Sequence, residues 1–314
     1  MQDVRSLRES LSLFLKQIPE KSIYRCRFNT LEDLVPVEID IGGNQLSGEI
    51  DEIIRRYEKR GFALFELKFN DAGSEAVNAL AKILNLGEPY IPARYKNRNI
   101  ISLYQGGINI ISTHVHGKAI NQIEGARQQD AHAFTNANEQ KLHVDGTLEE
   151  IGLIKTSILL CTNPAISGGE NIIFNSVAAF IELAEQDINA AVSLLDPRCL
   201  KRIAPGYGGS CTGSVFLIKN ENIFTRYSTD TTTSSWSDGL SNVSHLERAY
   251  EYLNDMAKPG FPFCVEIKLK LGQGLIIANN QISHGRRSYV ESQNNIRTML
   301  RGLFKIYPSA SSYR

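Results

Sequence analysis

The sequence has little that would lock it covalently or send it to a membrane. Its 314 residues contain five cysteines, Cys26, Cys161, Cys199, Cys211 and Cys264, widely separated and without a CxxC pair. An odd number at such spacing supports neither a disulfide framework nor a thiolate zinc site, and free, mostly buried thiols are expected. No segment approaches the ~18 uncharged apolar residues of a membrane helix. The opening MQDVRSLRESLSLFLKQIPEKS carries charges through its apolar positions, unlike a signal peptide. A cytoplasmic protein with no membrane contact is expected. An excess of one charge is missing too: 34 Lys and Arg balance 34 Asp and Glu, so no net field favours nucleic acid. There is no repeat at solenoid periods.

What is present is the composition of a globular protein, 42% apolar and 22% charged. Residues 47–61 place Ile50, Ile53, Ile54 and Tyr57 at helical spacing and stop at Gly61, which predicts an amphipathic helix with a glycine just past its end. GFALFELKF then reads as a strand, and residues 74–89 as a second helix closed by Gly87 and Pro89. Thereafter short β-prone runs dominate: GLIKTSILLCT, GENIIFNS, GSVFLIK, FCVEIKLKLGQGLIIAN and RTMLRGLFKIY. In CVEIKLKL, Val265, Ile267, Leu269 and Leu271 alternate with charged residues, as in a strand with one wet face. Helices are expected at 177–195 and 244–257. The pattern is α+β: a jelly-roll core with flanking helices, in one domain over 1–314, with a helical N-terminal region to about 90 and a lid-like insertion at about 200–260.

The stretch LHVDGT sets His143 and Asp145 two residues apart, which on a strand puts both side chains on one face. Two imidazoles and one carboxylate on one side of a mid-first-row metal leave open positions on the other, as a non-haem Fe(II) oxygenase requires. The pair alone is weak, since a histidine on a half-buried strand is commonly just a satisfied strand residue. A third ligand has to come from far along the chain, and His284 in GQGLIIANNQISHGRRSYV is available. Beyond it, NIRTMLRGLFKIY carries Arg297 and Arg301 among apolar residues and has no acidic residue. A buried guanidinium needs a carboxylate, from a bound ligand or from a distant Asp or Glu.

Together HVDGT, ISGGENIIF, NNQISHGRRSY and IRTMLR resemble the taurine dioxygenase and clavaminate synthase-like superfamily of Fe(II)/2-oxoglutarate oxygenases, in order from about GFALF to GLFKIY; ILNLGEP resembles an early segment of the same superfamily. The resemblance implies a double-stranded β-helix, Fe(II) on His143, Asp145 and His284, and Arg297 on the distal carboxylate of the co-substrate 2-oxoglutarate. Many relatives carry a Thr after the Gly-Gly of the central motif. Here Asn171 follows Gly168-Gly169-Glu170, and its amide can donate the same hydrogen bond. Related halogenases have a small residue at the carboxylate position, so Asp145 points to hydroxylation, or another oxidation such as desaturation, with O₂ as oxidant. The expected substrate is a free amino acid or a similar small polar metabolite.

Other signals have plainer readings. His114 and His116 share a face, but the Glu of a second metal site is missing at Ile120 and Asn121. GYGGS at 206–210 lacks the Lys-Ser/Thr of a P-loop. The hydroxyl-rich FTRYSTDTTTSSWSDG (224–239) reads as a lid, within which Arg226 and Asp230 could meet the charged ends of a substrate, as could Arg301; its plain alternative is a solvated loop. A metabolite-binding protein without catalysis and a hydrolytic metalloenzyme with the same ligands are the competing classes. The second would have no use for Arg297.

Overall fold

The computed structural model describes residues 4–19, 22–30, 34–42, 47–68, 73–92, 100–104, 107–111, 120–124, 137–204, 209–292 and 294–310, with backbone only at 30, 100–104, 107–111 and 124. The N-terminal helices follow their apolar spacing. α1 (Val4–Leu15) buries Leu7, Leu11 and Phe14, and α2 (Ser47–Arg60) buries Ile50, Ile53 and Tyr57. α2 ends where Gly61 takes a φ of +77° and its N–H donates to the Tyr57 carbonyl at 2.8 Å. α3 (Ser74–Ile83) stops short of the expected Gly87. Asn85 adopts the left-handed conformation that asparagine tolerates (φ +54°), turning Leu86 into the core, where it is 1% exposed.

Strands, numbered along the chain, form two sheets that matter for function. The larger has the order β1-β2-β16-β7-β19-β5: Val37–Ile39, Phe62–Leu67, Gln273–Ala278, Thr156–Asn163, Thr298–Phe304 and Ile120–Glu124. Only β1 and β2 run parallel; the other neighbours are antiparallel. The smaller, all antiparallel, has the order β15-β9-β17-β6: Cys264–Ile267, Asn171–Phe174, Ser283–Arg286 and Gln140–His143. β3 (Ile100–Tyr104) and β4 (Gly107–Ile111) pair with each other, as do β8 (Ser167–Gly168) and β18 (Tyr289–Val290). The wet-faced strand expected at CVEIKLKL ends at Ile267: Leu269 is still buried, but Leu271 is 61% exposed.

Between β9 and β15 lie the helices and the insertion. The helix expected at 177–195 is two, α4 (Ser176–Gln186) and α5 (Ile188–Ser193). Asp187 separates them by turning its carboxylate onto the Ala190 N–H at 3.0 Å, an N-cap within what reads as one apolar run. β10 (Leu200–Ile203) pairs with β11 (Ser210–Gly213) and β14 (Ser234–Ser235), and β12 (Phe216–Lys219) with β13 (Asn222–Thr225). α6 (Ser237–Asn242) and α7 (Leu246–Met256) follow.

The hydroxyl-rich stretch is not a solvated loop. Tyr227 and Ser228 are fully buried, Trp236 Nε1 donates to the Ser228 carbonyl at 2.9 Å, and Ser283 Oγ donates to the Tyr227 carbonyl at 3.0 Å. Short hydroxyls satisfy the backbone locally, so a polar composition is compatible with burial. The Thr229 N–H donates to the Leu142 carbonyl at 2.9 Å, tying this segment to β6. Among the described residues no helix is long and apolar enough to cross a membrane, and all five cysteines are free.

Candidate metal centre and adjoining cavity

His143 and His284 are brought together by strand register. β6 and β17, 141 residues apart in sequence at these positions, pair antiparallel with His143 opposite His284, and the two rings lie 4.6 Å apart between centroids. Gly285, next along β17, lies so close to β6 that a Cβ there would sit 2.7 Å from the Gln140 carbonyl oxygen; any side chain would push the two strands apart. Asp145 is not on the strand, as the two-residue spacing suggested. β6 ends at His143 and Asp145 occupies the bend after it. Asn279, just past β16, holds that bend: its Oδ1 accepts from the Asp145 N–H at 2.8 Å, and its Nδ2 donates to the Asp145 and Ile154 carbonyls at 3.3 and 3.2 Å.

One ligand atom from each of His143, Asp145 and His284 lies within 4.8 Å of the others. His143 Nδ1 is 2.9 Å from the Lys141 carbonyl, which assigns the proton to Nδ1 and the lone pair to Nε2, where the Gln140 amide donates to it at 3.2 Å and a metal would take its place. Burial pushes His284 down to about 3, against the pull of Asp145, and burial also lowers His143. Both imidazoles are therefore neutral at pH 7, the state in which imidazole binds metal. Burial alone would raise the Asp145 carboxyl, but Arg301, His284, His143 and the Ser157 hydroxyl together hold it well below the usual carboxylate range. His284 Nδ1 is buried without a hydrogen-bond partner. Two neutral imidazoles and one ionised carboxylate on a common side are a donor set that fits a divalent first-row metal with open positions.

The Asp145 carboxylate is gripped from β19 and β7. Arg301 Nη1 donates to its Oδ1, Ser157 Oγ donates to its Oδ2 at 2.8 Å, and Arg301 Nη2 donates to Asn121 Oδ1 at 3.0 Å. The carboxylate that the IRTMLR strand lacks thus reaches Arg301 from across the site. Arg297, Met299, Arg301 and Leu303 alternate along one face of β19 and its approach, and all are buried.

Arg297 has a different setting. It is 4% exposed, its guanidinium carbon lies 5.0 Å from the centre of the Tyr289 ring, and no carboxylate among the described residues forms an ion pair with its side chain; burial lowers its pKa. Gly168 and Gly169, both at positive φ, turn the chain beside it, and a Cβ on Gly169 would stand 3.2 Å from Arg297 Nε. The Arg286 guanidinium carbon lies 4.5 Å from the centre of the same Tyr289 ring. Asn171 lies on β9 with its Nδ2 donating to the Ile267 carbonyl at 3.3 Å. His143, His284, Asn171, Arg286, Arg297 and Arg301 line one cavity, with Ile123, Leu159 and Met299 as its apolar wall; it holds about 420 Å³ including its open mouth.

Arg226 and Asp230 do not line that cavity, although Asp230 acts on His143 through space. Arg226 lines a second cavity on the Asp145 side. Asp230 is 8% exposed and accepts from the Thr232 N–H and hydroxyl at 2.9 and 2.7 Å. The two are not paired with each other. His114, His116 and most of GYGGS lie outside the described residues. Sequence reasoning missed Ser157, Asn279, Tyr289 and Arg202. For Arg202 a signal existed: in LKRI it shares the strand face of Leu200, and both are buried.

A family model described as "Taurine catabolism dioxygenase TauD, TfdA family" matches residues 30–303. A uridine-5'-phosphate dioxygenase from Amycolatopsis sp. is 35% identical over 264 residues, covering 83% of this chain and 90% of that protein. Another of the same name from Streptomyces sp. is 28% identical over 270 residues, 83% of this chain and 92% of that one. Among solved structures, asparagine oxygenase in complex with Fe(II), 2S,3S-3-hydroxyasparagine and succinate superposes with a TM-score of 0.60 at 13% identity, covering 96% and 90% of the two chains. The non-heme iron oxygenase OrfP in complex with Fe and alpha-ketoglutaric acid gives 0.58 at 13%, covering 95% and 91%.

Proposed function

The chain belongs to the TauD/TfdA dioxygenase family, and from that premise we propose that it oxidises a uridine nucleotide, UMP or a close analogue, with Fe(II) and 2-oxoglutarate. The enzyme class, a non-haem iron dioxygenase, is common to the family and to its relatives. The observation that carries the chemistry is the convergence of His143, Asp145 and His284 beside a cavity that His143 and His284 line together with Arg297, a buried arginine whose side chain forms no ion pair with a carboxylate among the described residues. In this reading the two sheets are those of a double-stranded β-helix, the triad would hold the iron, and Arg297 would pair with the distal carboxylate of 2-oxoglutarate through two parallel hydrogen bonds. The Asn171 amide, on the same wall, would donate to that co-substrate. When bound, iron and 2-oxoglutarate would supply the oxidation, with one atom of O₂ going into succinate as CO₂ leaves and the other into a substrate C–H bond.

The protein's share is placement. Arg301 and Ser157 fix the orientation of the Asp145 carboxylate before any metal arrives, so none of that ordering has to occur on binding. Leu159, Met299 and Ile123 keep the cavity wall apolar, which limits water at the reacting carbon. The uracil ring has no aliphatic C–H, so the bond oxidised in UMP would lie on the ribose.

The substrate half is supported by the relative at 35% identity over 83% of this chain. The free amino acid expected from the sequence corresponds to solved structures at 13% identity, a likeness that extends to fold alone. The test is to supply Fe(II)-loaded protein with 2-oxoglutarate and O₂ and to compare UMP, UDP, uridine and a panel of amino acids. UMP is expected to give the largest rise in succinate release together with a product carrying one more oxygen atom. Stimulation by an amino acid and by no nucleotide would contradict the assignment.

A further inference from the structure

The second cavity, lined by the Asp145 bend, contains a charge arrangement that the metal chemistry leaves unexplained. It holds about 300 Å³ and is lined by Val144, Asp145, Gly146, Thr147, Arg202 and Arg226, among others. Arg202, on β10, is 1% exposed. Its Nη1 donates to the Arg226 carbonyl at 3.2 Å and its Nη2 reaches the Val144 carbonyl at 3.5 Å, while its Nε is buried with no acceptor. Arg226 stands beside it as a like charge, its side chain meeting only the Cys211 sulfur at 3.8 Å. Among the described residues no carboxylate forms an ion pair with either guanidinium. Asp230 and Asp145 act on Arg202 through space, but the Asp230 carboxylate is hydrogen-bonded to Thr232 and that of Asp145 to Arg301 and Ser157.

Two guanidiniums side by side, one wholly buried and short of acceptors, are costly unless an anion joins them. A singly charged carboxylate would balance one. A phosphate monoester, with close to two negative charges and three acceptor oxygens, would balance both and satisfy the idle donors. The carbonyl of Val144 lies between the ligands His143 and Asp145, so an anion on Arg202 would sit a residue away from the metal centre.

We propose that Arg202 and Arg226 form the clamp that takes the phosphate monoester of the substrate and separates nucleotide from nucleoside. The inference rests on the nucleotide reading given above and adds the residues that enforce it. Arg226, which sequence reasoning assigned to the carboxylate of an amino acid, here takes a phosphate, and Arg202 is the buried half of the pair.

The experiment uses the Fe(II)- and 2-oxoglutarate-loaded enzyme and its Arg202→Gln and Arg226→Gln variants. KM for UMP is measured aerobically, and binding of inorganic phosphate and of uridine is measured by calorimetry without O₂. Arg226→Gln is expected to raise KM for UMP about a hundredfold and to lose binding of inorganic phosphate, while KM for 2-oxoglutarate stays unchanged; Arg202→Gln should do the same if it folds. Should Arg202→Gln fail to fold, the half-exposed Arg226 carries the test alone. If UMP is not turned over but the wild type binds phosphate and Arg226→Gln does not, the clamp stands and the uridine assignment falls. Unchanged KM for UMP in a folded Arg226→Gln enzyme, or wild-type phosphate binding in that variant, would overturn the clamp.

Discussion

Asp145→Ala and His284→Ala are both expected to abolish turnover, a fall of at least about a thousandfold in UMP-dependent succinate release, yet to part company in stability. In the proposed reading each removes one of three metal ligands, and a site of two remaining donors would bind Fe(II) too weakly to stay loaded. His284 is neutral and its Nδ1 has no partner, so its loss leaves only a cavity, worth about 1–3 kcal/mol. Asp145 is the counterion of Arg301, with both groups buried. Removing it strands a guanidinium in the interior, a cost of about 3–5 kcal/mol. Denaturant melts of the metal-free proteins are therefore expected to rank wild type, then His284→Ala, then Asp145→Ala. The double variant Asp145→Ala/Arg301→Met should recover much of the stability and none of the iron binding. Equal melts for the two single variants would mean that the Arg301 contact does not hold the carboxylate.

Arg297→Leu is expected to raise KM for 2-oxoglutarate about a hundredfold or more, with stoichiometric iron binding retained. Truncating one side of a buried, charge-assisted pair costs several kcal/mol because the partner's charge is left in a poor solvent. The stability of the ligand-free protein should move the other way. Arg297 is buried over Tyr289, and among the described residues no carboxylate forms an ion pair with its side chain, so exchanging it for leucine removes a poorly compensated charge from the interior and is expected to be neutral or stabilising. Loss of stability together with loss of co-substrate binding behaves as a structural ion pair does, and that joint outcome would contradict the role. Steady-state KM values and paired urea melts separate the two cases.

Much of this site could be read in the sequence because its elements carry short-range signals. Helix α2 follows the spacing of its isoleucines and stops at Gly61. The shared face of Arg297, Met299 and Arg301 follows from the two-residue period of a strand. His284 was found by its place after an apolar strand, although the strand it occupies is a separate one: β16 ends at Ala278 and β17 begins at Ser283. What could not be read is register between distant segments. Nothing local says that His143 lies opposite His284, that Arg301 finds its carboxylate 156 positions away at Asp145, or that Asn279 splints the ligand bend. The stretch at 224–239 misled for another reason: hydroxyls that bond to nearby carbonyls look like solvated residues in composition, yet Ser228 and Ser234 are buried. Arg202 escaped because charge was read before face, although alternation in LKRI sets it beside Leu200.

The central claim is that His143, Asp145 and His284 hold one iron next to a 2-oxoglutarate site that ends at Arg297. It is tested most directly by adding 2-oxoglutarate, without O₂, to the protein loaded with one equivalent of Fe(II) and recording the visible spectrum. A weak charge-transfer band that saturates at one equivalent of 2-oxoglutarate, is absent in His284→Ala and needs far more 2-oxoglutarate in Arg297→Leu is the predicted result. A band of equal strength in His284→Ala, or none in the wild type with iron bound, would contradict it.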